Sequence, residues 1–198
     1  YANRGQLPIP VEFRNNSVMK NGKKAPVNGH LAALGVDPYQ ANRTQFGSGS
    51  KQGLVGMTTD TAELGDDYRE STFLYYNFRG ETFEDSAEDV IKACVYFSIP
   101  ALIERNKDGL IRLMINRGYR QYLMVNPLKK KSDLKDDDRM LGGIVTSPAN
   151  TDKQEQILET YIKTSFPEDI NEDKIKCPFL ELNENATEYT RANRSAKD

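Results

Sequence analysis

The sequence predicts an α/β domain built on a mixed sheet. Three observations carry that expectation. Three strand-length apolar runs succeed one another between Leu31 and Gly80, an amphipathic helical stripe follows them, and a fourth short apolar run, ALIE, comes directly after the stripe. At 198 residues the chain is long enough for one domain with its own core.

The first thirty residues are rich in Asn, Gly, Pro and Lys and read as a connecting segment, irregular apart from one edge strand at Val11–Phe13. Residues 31–198 form the domain proper. Leu31 to Val36 is a buried strand stopped by Asp37-Pro38, because proline cannot donate to a ladder and biases the residue before it away from helix. A Gly/Ser loop, FGSGSKQG, leads into a second strand, LVGMT. After a polar turn, STFLYYNFRG makes a third strand whose two alternating sets are both largely apolar, so it should be covered on both faces.

Thr82 is a candidate N-cap with Asp85 three residues on, and Ala87, Val90, Ile91, Cys94 and Val95 form the apolar stripe of the helix that follows. Pro100 marks its exit. Ala101–Glu104 is the fourth strand, and Asp108-Gly109 opens a second helix closed by Gly118. YRQYLMVNPL reads as a further strand, Lys129–Arg139 as a charged loop, and Thr151 with Gln154 as the capping box of a third helix ended by Pro167, with Ile157, Leu158, Tyr161 and Ile162 inward. CPFLEL reads as a short strand or a helical turn.

This order, a three-strand meander followed by parallel strands with helices on both faces, is that of the RNase H-like fold. A right-handed crossover makes strand one the neighbour of strand four. Asp37 and Glu104 should therefore lie side by side at one sheet edge.

Composition removes several chemistries. His30 is the only histidine, so a two-His metal site cannot form within one chain. Cys94 and Cys177 are too few and too far apart for a disulfide framework or a zinc cluster, which suits a reduced setting. No stretch approaches a membrane span. The net charge of -2 argues mildly against tight autonomous DNA binding but not against a nuclease, whose site must itself be acidic.

Acidic chemistry remains. Two carboxylates on adjacent parallel strands suit Mg²⁺ or Mn²⁺, which prefer oxygen ligands and keep several waters. Two such ions about 3.5–4 Å apart would serve phosphodiester cleavage. Taken one at a time the acids say little: an Asp before Pro is most often a turn former, and Glu104 in ERNKDG reads equally well as a solvated residue leading into a helix.

Hydrophobic-G-x-D on strand one (LGVDPY), the Gly/Ser/Lys loop after it, hydrophobic-I-E-x-N-x-x-G on strand four (ALIERNKDGL) and the t-s-p turn and helix of VTSPANTDKQEQILETYI resemble the nuclease domain of phage large terminase subunits, from about Leu31 to the end. The resemblance implies a metal-dependent endonuclease that cuts double-stranded, concatemeric viral DNA during genome packaging, in the host cytoplasm. It implies two Mg²⁺ or Mn²⁺ ions on a strand-one Asp, a strand-four Glu and an Asp opening a C-terminal helix, which fall on Asp37, Glu104 and Asp198. Where the family commonly has an acidic pair, this chain has Lys197-Asp198. It also implies an upstream ATPase domain, a portal and a small terminase subunit as partners; no P-loop G-x-x-x-x-G-K-[ST] occurs in these residues.

Lys51, Lys129, Lys130 and Lys131 are candidate phosphate contacts, although Asp136–Asp138 offsets much of the field of the last three. Should Asp198 not be the third ligand, Asp60 and Asp136–Asp138 are the next acids to consider. Two other readings stay open: a resolvase- or transposase-like nuclease on the same fold, and a non-catalytic RNase H-like binding domain.

Overall fold

Strand-length apolar runs and one well-capped amphipathic helix organise the molecule much as the sequence suggests. The computed structural model describes residues 17–20, 23–38, 51–106, 108–165 and 177–188. Its strands are β1 (Ser17–Lys20), β2 (Lys23–Pro26), β3 (Ala32–Asp37), β4 (Gln52–Thr58), β5 (Thr72–Phe78) and β6 (Ala101–Ile103). Its helices are α1 (Phe83–Phe97), α2 (Gly109–Asn116), α3 (Asp136–Leu141), α4 (Pro148–Ser165) and α5 (Leu180–Glu188).

The main sheet runs β5-β4-β3-β6. β3, β4 and β5 form an antiparallel meander, and β6 returns beside β3 in parallel. This is the RNase H-like layout. One face is the core: Leu34, Val36, Leu54, Ala101 and Ile103 pack with Ala87, Val90, Ile91 and Cys94 of α1 and Leu110, Ile111 and Met114 of α2. Each large apolar side chain so buried contributes about 1.5–3 kcal/mol. The other face carries α4, which walls a groove of about 940 Å³ with Met57 and Leu102, and α5, reached through a Tyr75–Phe179 ring contact at 5.8 Å.

The start of α1 is the capping box expected: Asp85 N–H donates to Thr82 Oγ1 and Thr82 N–H donates to Asp85 Oδ2, each at 3.1 Å. Burial of the Cys94 thiol on the inner stripe pushes its pKa up to about 12. Glu88 and Asp89 on this helix serve Arg117 and the Tyr76 hydroxyl, each at 2.6 Å.

Several expectations need correction. β1 and β2 pair antiparallel where irregular chain was expected. The strand expected at Val11–Phe13 lies outside the described residues. Asn28 is buried with its amide donating to Phe97 O at 2.8 Å, so the stretch before β3 is tied to the end of α1.

β5 is only half-covered. A bulge opposite Gly56 and Met57 shifts its phase, so Phe73 and Tyr76 are buried while Phe78 is exposed.

YRQYLMVNPL is not a regular strand. Arg120–Tyr122 is a 3₁₀ turn, and only isolated parallel bridges at Leu123 and Val125 continue the sheet past β6. The charged loop contains α3, because three aspartates in a first turn suit the helix dipole. Arg120 donates to the carbonyls of Arg139 and Met140 at the far end of that helix. α4 begins at Pro148 rather than at a Thr151 cap: Asn150 N–H donates to Ser147 Oγ at 3.3 Å, and proline fits the first helical position. Ile157, expected inward, is 57% exposed, while Glu155 is buried. CPFLEL leads into α5, and Pro167 lies outside the described residues.

Candidate metal centre

Register decides where the acids stand. β3 and β6 pair Leu34 with Ala101, Gly35 with Leu102 and Val36 with Ile103. The next step sets Asp37 beside Glu104, whose backbone N–H donates to Val36 O at 3.0 Å. Side chains alternate along a strand, so Val36 and Ile103 turn into the core while Asp37 and Glu104 share the opposite face. Asp37 is exposed and Glu104 half-buried. Gly53 and Asn77 continue the row across β4 and β5. Asp37 and Glu104 therefore stand at neighbouring positions at the C-terminal ends of two parallel strands.

Glu104 is held by neutral donors. Asn106 Nδ2 donates to its Oε1 at 3.1 Å, and the Thr146 hydroxyl donates to the same oxygen. The Thr146 backbone N–H donates in turn to Asn106 Oδ1 at 3.0 Å. Thr146 arrives because the segment before α4 pairs with the end of β6: Ile144 N–H donates to Ile103 O at 2.9 Å and Arg105 N–H to Ile144 O at 2.7 Å.

Arg105, the nearest cation in sequence, turns away. Its guanidinium pairs with Asp138 Oδ1 at 3.2 Å, and Lys129 Nζ lies 2.8 Å from Asp138 Oδ2. Asp138 is 4% exposed, and the Lys129 hydrogen bond holds its carboxyl below the usual carboxylate range, aided by the Lys135 backbone N–H and the charges of Lys129 and Arg105.

A carboxyl with a depressed folded-state pKa contributes stability above its ordinary pKa near 4 and loses it as pH falls through the folded value. Asp138→Ala should cost about 3 kcal/mol at neutral pH, because it removes the buried carboxylate that pairs with the partly buried Arg105 and Lys129. The variant should also show a flatter loss of stability below pH 4 than the wild type. Thermal melts from pH 7 to pH 3 check both; parallel curves would mean that this carboxylate is not what titrates.

Two of the fallback acids are engaged elsewhere, while Asp136 and Asp137 are exposed in the first turn of α3. Asp138 is neutralised as described. Asp60 follows the end of β4 marked by Ala32 opposite Thr58, whereas Asp37 stands opposite Gly53 at the other end, and Asp60 pairs with Arg69 at 3.6 Å. Glu181 of α5, unmarked by any sequence signal, accepts from Asn77 Nδ2 at 3.0 Å on the Asp37 face. Among the described residues no three of His, Cys, Asp and Glu converge on a metal-sized site. Asp198 lies outside them.

The donor set fits hard divalent cations: carboxylate oxygens on a rigid pair of strand ends, reachable from solvent, with Glu104 bonded to neutral donors. Lys51, Lys130 and Lys131 are exposed, and Lys129 is engaged with Asp138. His30 is exposed, with Nε2 3.1 Å from Glu63 Oε2. Both cysteines are buried and unbridged. No described helix is long and apolar enough to cross a membrane.

The Asn106 and Thr146 contacts were not expected from sequence. Their only trace there is the E-x-N spacing and the VTSP turn.

No family model matches the sequence, and no curated protein matches it. The structure is similar to the human cytomegalovirus terminase nuclease domain, with a TM-score of 0.46 and 16% identity over 86% of this chain and 78% of that one.

Proposed function

We propose that this domain is a divalent-cation-dependent endonuclease acting on double-stranded DNA, and that it cuts concatemeric viral DNA during genome packaging in the host cytoplasm. The observation that carries the reading is the register of β3 and β6, which aligns Asp37 and Glu104 at neighbouring strand ends on the face away from the core. The resemblance in LGVDPY, ALIERNKDGL and the VTSP turn supports it.

In this reading Asp37 and Glu104 hold Mg²⁺ or Mn²⁺, and Asp198 supplies the third carboxylate of a two-ion site. When bound, such ions withdraw charge from the scissile phosphate and make an attacking water more acidic. The chain's own part is to fix two oxygen donors on paired strands, so little reorganisation is needed when substrate arrives. Lys51, Lys130 and Lys131 meet backbone phosphates, which makes binding salt-dependent and indifferent to sequence. An upstream ATPase domain, a portal and a small terminase subunit are the partners this role requires.

Nicking of supercoiled plasmid tests the proposal. Activity should vanish in EDTA and return with Mn²⁺ or Mg²⁺. It should not return with Ca²⁺, whose looser and larger shell suits a two-ion site poorly. Cleavage that survives EDTA would contradict the reading.

A further inference from the structure

We infer that Thr146 and Asn106 are positioning residues that orient the Glu104 carboxylate for a divalent cation. The inference rests on the metal-dependent reading above and adds to it how one ligand is aimed.

The hydrogen bonds close a ring. The Thr146 backbone N–H can only donate, so the Asn106 carbonyl oxygen must face it, at 3.0 Å. That fixes the amide orientation and turns Nδ2 toward Glu104, at 3.1 Å. An ionised carboxylate can only accept, so the Thr146 hydroxyl must donate to it. Both donors converge on Oε1, which makes Oε2 the oxygen that meets the ion. Neither donor carries a charge, so the carboxylate is oriented without being neutralised. A salt bridge would have aimed it equally well and cancelled the charge an ion needs; the cation next along the chain, Arg105, is instead drawn off by Asp138 at 3.2 Å.

The arrangement is long-range. Asn106 follows β6 directly, whereas Thr146 is forty residues further on and is delivered by the pairing of Ile144 with Glu104. Partners of this kind, behind a metal ligand, typically govern affinity tenfold to a hundredfold. Asn106 and Thr146 are both exposed, so substituting them removes orientation rather than core packing.

The test is Mn²⁺ binding to the protein, followed by the electron paramagnetic resonance signal of unbound Mn²⁺, alongside thermal melts. Thr146→Val keeps the shape and removes the donor; it should weaken Mn²⁺ binding about tenfold or more, with the melting temperature nearly unchanged. Thr146→Ser restores a hydroxyl and should recover most of the affinity. Asn106→Ala should weaken binding by a similar factor through the same oxygen. Wild-type affinity in both Thr146→Val and Asn106→Ala would overturn the inference while leaving the metal reading intact. A wild-type protein that binds no Mn²⁺ would overturn the metal reading and this inference with it.

Discussion

Alanine at Asp37 or at Glu104 should abolish metal-dependent nicking of plasmid, by about 10³-fold or more, while leaving the fold in place. A loss of that size corresponds to about 4 kcal/mol of transition-state stabilisation, the scale expected when a bound cation is misplaced or lost. The double variant should be little worse than either single one, because groups that act as a unit are not additive. Stability should change by only about 1 kcal/mol, since Asp37 is exposed and Glu104 half-buried, and both face away from the core. Initial rates in Mn²⁺, with circular dichroism melts on the same preparations, check the two halves. Full activity in Asp37→Ala would remove that residue from the site, and a collapsed melt would make it structural.

Gly143→Ala should be a strongly damaging small substitution near the site. Gly143 has φ of 73°, and a Cβ there would lie 2.6 Å from Ile103 O and 2.9 Å from Ile111 Cδ1. The left-handed conformation costs a non-glycine residue about 1–2 kcal/mol. The overlap adds to this, because Ile103 O belongs to the sheet backbone and accepts the Ile144 N–H at 2.9 Å, so it cannot simply move aside.

A comparison isolates the overlap. Gly118 has φ of 84° with nothing within 4 Å of its Cβ position, so Gly118→Ala should show the conformational cost alone. Urea unfolding should place Gly143→Ala at least about 2 kcal/mol below Gly118→Ala, the usual scale of overpacking. Any shift of this segment also draws Thr146 from Glu104, so Mn²⁺ affinity should fall with stability. Equal stabilities in the two variants would mean that the close approach is not what places glycine at 143.

Much of the molecule was legible where a signal is local. The end of β3 follows from Asp37-Pro38, and the start of α1 from Thr82 and Asp85, because each is decided by hydrogen-bonding capacity within a few residues. The strands of the meander follow from apolar runs and the turns between them. Errors arose where two local signals compete. Thr151 with Gln154 and Ser147-Pro148 are both plausible helix starts four residues apart, and the structure takes the earlier. DDDR reads as a solvated loop until Arg120, far away in sequence, holds the other end of the helix it begins.

Residue order alone determined the sheet topology and, through it, the meeting of Asp37 with Glu104. Side chains alternate with period two, and a right-handed crossover leaves β6 one place to go, so residues 67 positions apart become neighbours without any contact being specified in advance. What surrounds that pair was settled only by tertiary structure. Whether Arg105 neutralises Glu104 or turns to Asp138, and whether Thr146 reaches Oε1, depend on how 129–147 lies against the end of β6. That is a matter of distances below about 3.5 Å between distant segments, and no periodicity or cap in the sequence encodes it.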